Sequence, residues 1–324
     1  SRNRVFFPEA SGNELWGYEI QGPRGALTLV DNDASGVGGA TLQRLLGVGN
    51  GGLPVTIGTV NVSGSDLSID LGTTAGVLAT SSVDSFGRPG LVLVDSRIHL
   101  PETGCVDGTG VSLVGGVTRI ERCKIFGGGE RGSVGILAVG GTLEVYDSYA
   151  TGWVPRDACG ASYSVGVDAT SGAKVYLTGN TIDGIGRLDA AAISYGIACQ
   201  SSSEVFARSN LVGGGYSANH YMFFSDSNTT CAKPENFAAN YFWFAHPSGV
   251  RSSDATPLVA TNPTVGLPDG NGNILADGAS CHDPAFELPD YHLAAGSPCA
   301  NRGVAGTRLD GSALLLDVDG QPRT

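Results

Sequence analysis

The chain holds one methionine and three tryptophans in 324 residues, and only 15% of it is Asp, Glu, Lys or Arg. That leaves little material for long amphipathic helices, which need charged and long unbranched side chains. No apolar run approaches the ~20 residues that span a bilayer as a helix. No Cys-x-x-Cys pair occurs, which argues against zinc ribbons and thioredoxin chemistry. His99, His220, His246, His282 and His292 show no His-x-x-x-His or His-Glu-x-x-His spacing, so a zinc site is not expected. Basic residues are outnumbered 19 to 31, and the net charge is -12. Such a surface repels nucleic acid, and it repels polyanionic sugars unless a basic strip or bound cations offset it.

Glycine is abundant, at 50 residues, but has no Gly-X-Y period, so collagen is excluded. A hydrophobic fraction of 41% is enough to build a core.

Internal repetition is the strongest signal. Ser96, Cys123, Ser148, Asn180, Asn210 and Asn240 recur at separations of 27, 25, 32, 30 and 30 residues. Three residues before each stands Leu93, Ile120, Val145, Leu177, Ala207 or Phe237, and two residues after each stands Ile98, Ile125, Ala150, Ile182, Val212 or Phe242. A second set begins at Gly110, Gly135, Gly166 and Gly196. Its alternation puts Val111, Ile136, Val167 and Ile197 inward, with Leu113, Ala138, Ala169 and Cys199. Short strands at this period fit a coil that climbs one strand spacing per repeat. The expected fold is all-β, a right-handed parallel β-helix. Propeller blades need longer repeats, and a leucine-rich repeat would carry a leucine signature. The marker column predicts a ladder of stacked Asn180, Asn210 and Asn240 at a turn, continued by Ser148, Cys123 and Ser96.

One domain is expected over 1–324, with an N-terminal cap and first coils over 1–60, regular coils over 61–244, and an excursion plus closing coils over 245–324. Leu42, Leu45 and Leu46 sit at helical spacing in Ala40-Thr-Leu-Gln-Arg-Leu-Leu, which predicts a short helix capping the first coil.

Function in such a coil falls to outward positions, because the core columns are committed to packing. One outward column reads Arg119, Glu144, Lys174, Glu204, a surface charge ladder of small energetic worth. The next reads Glu121, Tyr146, Tyr176, Phe206. Tyr146, Tyr176 and Phe206 are the candidate ligand-binding residues, a platform for sugar rings or another protein, unless a long loop covers them. Asp168, Arg187 and His220 are the candidate catalytic groups, since a polysaccharide lyase needs a base and a positive charge near its uronate. The outward column Ser112, Leu137, Asp168, Ala198 is poor in carboxylates for a catalytic face. Asp269, Asn271, Asn273 and Asp277 alternate like part of a calcium loop but lack its sixth-position glycine and acidic twelfth residue. A Gly/Asn-rich turn leading into Ile274-Leu275 accounts for them as well, and no other cofactor is indicated.

Seven cysteines are an odd number, so at least one is unpaired or bonded to another chain. Cys123 and Cys199 fall in packed columns and are expected to be small buried residues. Cys105, Cys159, Cys231, Cys281 and Cys299 fall in loops, and Cys281 with Cys299 is the favoured disulfide because both lie in one terminal segment.

The segment from Gly272 onward contains Asn273-Ile274, Asp283-Pro-Ala-Phe286, Asp290-Tyr-His-Leu293, Gly296-Ser-Pro298, Asn301 with Gly303, and Asp319-Gly-Gln-Pro-Arg323. It resembles the closing segment of exported bacterial right-handed parallel β-helix proteins of the choice-of-anchor type. With the repeats, the resemblance covers about residues 90–324. It implies the fold and export, with the signal peptide already removed before Ser1. It does not choose an activity, because the fold hosts lyases, hydrolases, epimerases, adhesins and inert surface proteins. The leading expectation is a secreted or cell-surface, non-catalytic protein that binds polysaccharide or a surface protein. A polysaccharide lyase or related enzyme is the alternative, and a self-assembling structural subunit the third.

Overall fold

In the computed structural model, strands are described within residues 3–80. The description then covers 91–99, 107–128, 131–153, 163–185, 193–213, 219–226, 230–243 apart from 232, 270–275 and 306–315, plus the short strands Phe286–Glu287 and His292–Leu293.

The chain forms a parallel β-solenoid, a β-helix of three faces. A first sheet has ten strands, from Asn3–Phe7 to Ile274–Leu275. A second has eight, from Leu15–Ile20 to Asn219–Ser225, and a third has eight, from Leu27–Val30 to Phe237–Ala238. Successive strands visit the second, third and first sheets in turn, so each pairs in parallel with the strand one coil away. Coils laid on one another satisfy each other's backbone groups without hairpins.

The repeat columns are the core. Ile120, Val145 and Leu177 are fully buried and consecutive in register, and Ala207 follows them. Val111, Ile136, Val167 and Ile197 form the matching column of the second sheet, each at 0% exposure.

The turn between third and first sheets carries the expected ladder. The residue before each ladder position has positive φ, as at Asp95 (49°), Arg122 (51°), Asp147 (48°), Ser209 (56°) and Ala239 (54°). This left-handed conformation is costly for residues with a Cβ and must be held in place. The ladder supplies the restraint. Asn180 and Asn210 each donate a backbone N–H to the amide oxygen of the next ladder residue, at 2.9 and 3.0 Å. Their Nδ2 groups also donate, to that same oxygen and to a carbonyl one coil back. Ser148 accepts the N–H of Cys123 and passes its own N–H to Asn180 Oδ1. Cys123 is buried and free, as its column requires.

Four expectations are corrected here. The capping helix is instead a strand, Leu42–Val48, paired in parallel with Leu15–Ile20 and Thr73–Thr80. Its leucine spacing fits a helix, but Leu46 shares the register of Val77 and Val111, and the sheet overrides local preference. Cys199 is not merely a packing residue: it is disulfide-bonded to Cys231, with Cα atoms 5.8 Å apart. Its inward column brings it against the turn that opens the next coil's third-sheet strand. The outward columns are shifted by two residues beyond Tyr146. The observed rows are Arg119–Glu144–Tyr176–Phe206 and Glu121–Tyr146–Thr178–Arg208, while Lys174 and Glu204 align with Val117 and Thr142. Ala173, not Gly172, stands where Gly141 does, because the intervening turn is one residue longer. Lastly, Glu144 points outward yet is only 3% exposed, so it is no surface charge. The favoured pair Cys281 and Cys299 lies outside the described residues, as do Cys105 and Cys159.

Candidate functional site

The outer face of the third sheet is partly covered by a hairpin of residues 306–315. Thr307 bridges Ala313, Arg308 and Ser312 pair through their backbones, and Gly311 takes the turn at φ 83°. Ionic contacts fasten it. Arg308 donates to Glu121 from Nε (3.0 Å) and Nη2 (2.6 Å), and Arg119 bridges Glu144 (2.9 Å) and Asp310 (3.1 Å). Burial alone would raise the Glu121 carboxyl, but the guanidinium groups of Arg308 and Arg122 outweigh it and hold it below its ordinary value. Ser312, followed by Arg119, lowers the Asp310 carboxyl to about 2.

Beside this hairpin lies a cleft of about 320 Å³. Its lining includes all three aromatic candidates, with Arg208, Glu235, Asn236, Arg308 and Leu309. The register divides the candidates. Tyr176 and Phe206 are row neighbours, half-buried and stacked with centroids 4.7 Å apart and planes 8° from parallel. Stacking hides one face of each ring, and Glu144 is the row neighbour of Tyr176 on its other side. Tyr146 lies in the adjacent row and is 1% exposed. Its hydroxyl donates to Glu144 Oε2 at 3.0 Å and accepts the Leu309 N–H at 2.7 Å, and the Arg119 guanidinium lies 5.8 Å from its ring centre. Tyr146 therefore anchors the hairpin, and the open aromatic surface is Tyr176 with Phe206.

The cleft also holds unspent polar groups that the sequence reading did not single out. Arg208 and Glu235 are exposed, and neither side chain forms a hydrogen bond or ion pair among the described residues. The Asn236 Nδ2 is buried without an acceptor. Arg208 was legible from the ladder, two residues before Asn210. Glu235 and Asn236 belong to the 3-10 turn Pro234–Asn236, which no repeat pattern marks.

Asp168 sits on the outer face of the second sheet, away from the cleft. Burial raises its carboxyl to about 6, opposed only by the hydrogen bond from Gln200 Nε2 at 3.2 Å. His220 is placed by its backbone alone, opposite Ser194, which pairs with Ser164. Asp168 and His220 are thus four residues apart along the sheet and two strands apart across it, about 13 Å and 10 Å in ideal strand spacing. Arg187 lies outside the described residues. Of the calcium candidates, Asn273 is the next rung of the ladder, its Oδ1 accepting from Asn240 and its Nδ2 donating to Phe237 O. Asn271 donates to Pro234 O, and Asp269 and Asp277 lie outside the described residues. Among the described residues no three of His, Cys, Asp and Glu are grouped as a metal would need. No described helix is long and apolar enough to cross a membrane, and the disulfide points to an oxidising compartment.

No protein-family model matches the chain, and neither does any curated protein or solved structure.

Proposed function

We propose that the chain is an exported, surface-acting protein of the choice-of-anchor kind that binds a neutral polysaccharide in the cleft beside Tyr176 and Phe206, without transforming it. The observation that carries this reading is the stacked ring pair set in a cleft with unpaired Arg208, Glu235 and Asn236. Sugar rings offer an apolar C–H face to an aromatic ring and hydroxyl groups to polar neighbours on either side. A guanidinium and a carboxylate, both free of partners, supply donors and acceptors to such hydroxyls. The net charge of -12 favours neutral chains over uronates.

Calorimetric titration with neutral and uronate oligosaccharides tests it. Neutral chains should bind, and Phe206→Ala should weaken binding at least tenfold while leaving the melting temperature within a few degrees. Equal binding by wild type and Phe206→Ala, or release of unsaturated uronate from pectate or alginate with calcium, would overturn it.

A further inference from the structure

The outer face of the second sheet holds a second cluster that the cleft does not use. Strands Tyr163–Thr170, Ile193–Cys199 and Asn219–Ser225 pair there, with Asp168 opposite Ala198 and Ala198 opposite Phe224. Strict alternation breaks at Gly166 and Gly196. Both face the interior, where an added Cβ would come within 2.9 Å of Asp183 O and 2.3 Å of Gly213 O respectively, both on the first sheet. Two consecutive inward residues bring two rows to the same outer face, as a bulge does. Those rows are Val165–Tyr195–Tyr221 and Asp168–Ala198–Phe224.

Val165 and Ala198 are buried as a floor, with Tyr195 and Phe224 packed over it. Tyr195 stacks on Tyr221 at 5.5 Å and meets Phe224 at 4.9 Å. Asp168 is close enough for its charge to act on the hydroxyls of Tyr195 and Tyr163, and Tyr163 is 40% exposed at the edge. Among the described residues the carboxylate receives one hydrogen bond, from Gln200, and forms no ion pair.

A carboxylate withdrawn from water among apolar groups is costly unless a cation joins it. Calcium or magnesium would demand six or more oxygens, and this patch offers one carboxylate. A compact hydrated ion gains nothing from the rings. An organic ammonium ion suits both features: its charge meets the carboxylate and the negative ring faces, and its methyl groups meet the apolar floor. We propose that the surface around Asp168, Tyr195, Tyr221 and Phe224 binds a small organic ammonium ion, with Asp168 as its counter-ion. The net charge of -12 concentrates such cations at the surface.

The test is a titration of the full chain with tetramethylammonium chloride at constant ionic strength, followed by NMR of the tyrosine rings. Wild type should show saturable shifts, and sodium chloride alone should not. Asp168→Asn keeps the shape and an oxygen for Gln200, and should weaken binding at least tenfold; Tyr195→Ala should do the same. Phe206→Ala, in the cleft, should leave it unchanged, which separates this site from the polysaccharide reading. Absence of saturation in wild type, an equal response to sodium, or undiminished binding by folded Asp168→Asn would each overturn the assignment.

Discussion

Replacing Asn210 by alanine tests the ladder as the element that holds the coils in register. Asn210 Oδ1 accepts the Asn180 N–H at 2.9 Å and the Asn180 Nδ2 at 3.0 Å. Its Nδ2 donates to Leu177 O and to Asn240 Oδ1, each at 2.9 Å. Truncation deprives buried Asn180, Leu177 and Asn240 of these contacts, where water cannot replace them without opening the coil. A buried polar group left unsatisfied costs about 1–3 kcal/mol, so two to three of them cost about 2–9 kcal/mol. Against a usual total of about 5–15 kcal/mol, that is a large share of the stability. Asn210→Ser should fall between, near 1–3 kcal/mol by the same scale. Ser148 shows why: its hydroxyl still accepts the N–H of the neighbouring coil but turns its own proton to Tyr146 O, in its own coil. Denaturant unfolding with the exposed variant Arg208→Ala as reference measures the series. A loss below about 1 kcal/mol for Asn210→Ala would refute the reasoning, because buried amides that can be removed so cheaply do not hold the turn.

Val145→Asp should prevent folding, since it places an unpaired charge at a fully buried position, whereas Glu144→Ala should yield a folded protein weakened by about 1–3 kcal/mol through lost contacts to Arg119 and Tyr146; circular dichroism and unfolding distinguish them. Replacing Cys199 and Cys231 together by alanine opens a link between residues 32 apart and should cost about 3–4 kcal/mol in the chain-entropy picture, and an unchanged unfolding midpoint would contradict it. Asp168→Asn should stabilise the protein by about 1–3 kcal/mol at pH 8, because a carboxyl raised to about 6 in the fold ionises more easily in the unfolded chain. That advantage should fade as pH drops below 6 and be nearly gone by about pH 4, where the folded and unfolded carboxyls both hold protons; a constant difference across this range would refute the shift.

The fold was legible because its demands repeat. Each coil must supply the same inward apolar positions and the same turn residue, so Ile120, Val145 and Leu177 announce themselves in a single sequence. What was illegible is whatever occurs once. The turn before Lys174 is one residue longer than the turn before Thr142, so positions counted from the turn glycines disagree with positions counted from the marker residues, and the aromatic row was misaligned by two residues beyond Tyr146. Asn273 lies 33 residues after Asn240, beyond a Pro- and Ser-rich excursion, and its glycine and asparagine neighbours resemble oxygen ligands as much as a rung. Cys199 obeys its column and gives no sign of a bond to Cys231. The hairpin over Glu121 and Tyr146 is specified by contacts nearly 190 residues apart, which no local pattern encodes.

That hairpin also decides which part of the ladder can act. The row Arg119–Glu144–Tyr176–Phe206 is continuous along the sheet, yet its two ends have opposite fates. At the Glu144 end, the neighbouring Tyr146 hydroxyl accepts a backbone N–H of the hairpin, and Arg119 and Glu121 hold Asp310 and Arg308. These groups are saturated and have no bonds left to offer. At the Phe206 end, the rings stack only on each other, and Arg208 and Glu235 are unengaged. Polar groups that are fully satisfied rigidify a structure, while those left unsatisfied at a cleft are available to a ligand. The hairpin therefore works as a boundary: it converts one end of a uniform surface into core and contributes Arg308 and Leu309 to the wall of what remains open. Binding specificity in this reading comes from where the covering stops, not from any departure in the coil itself.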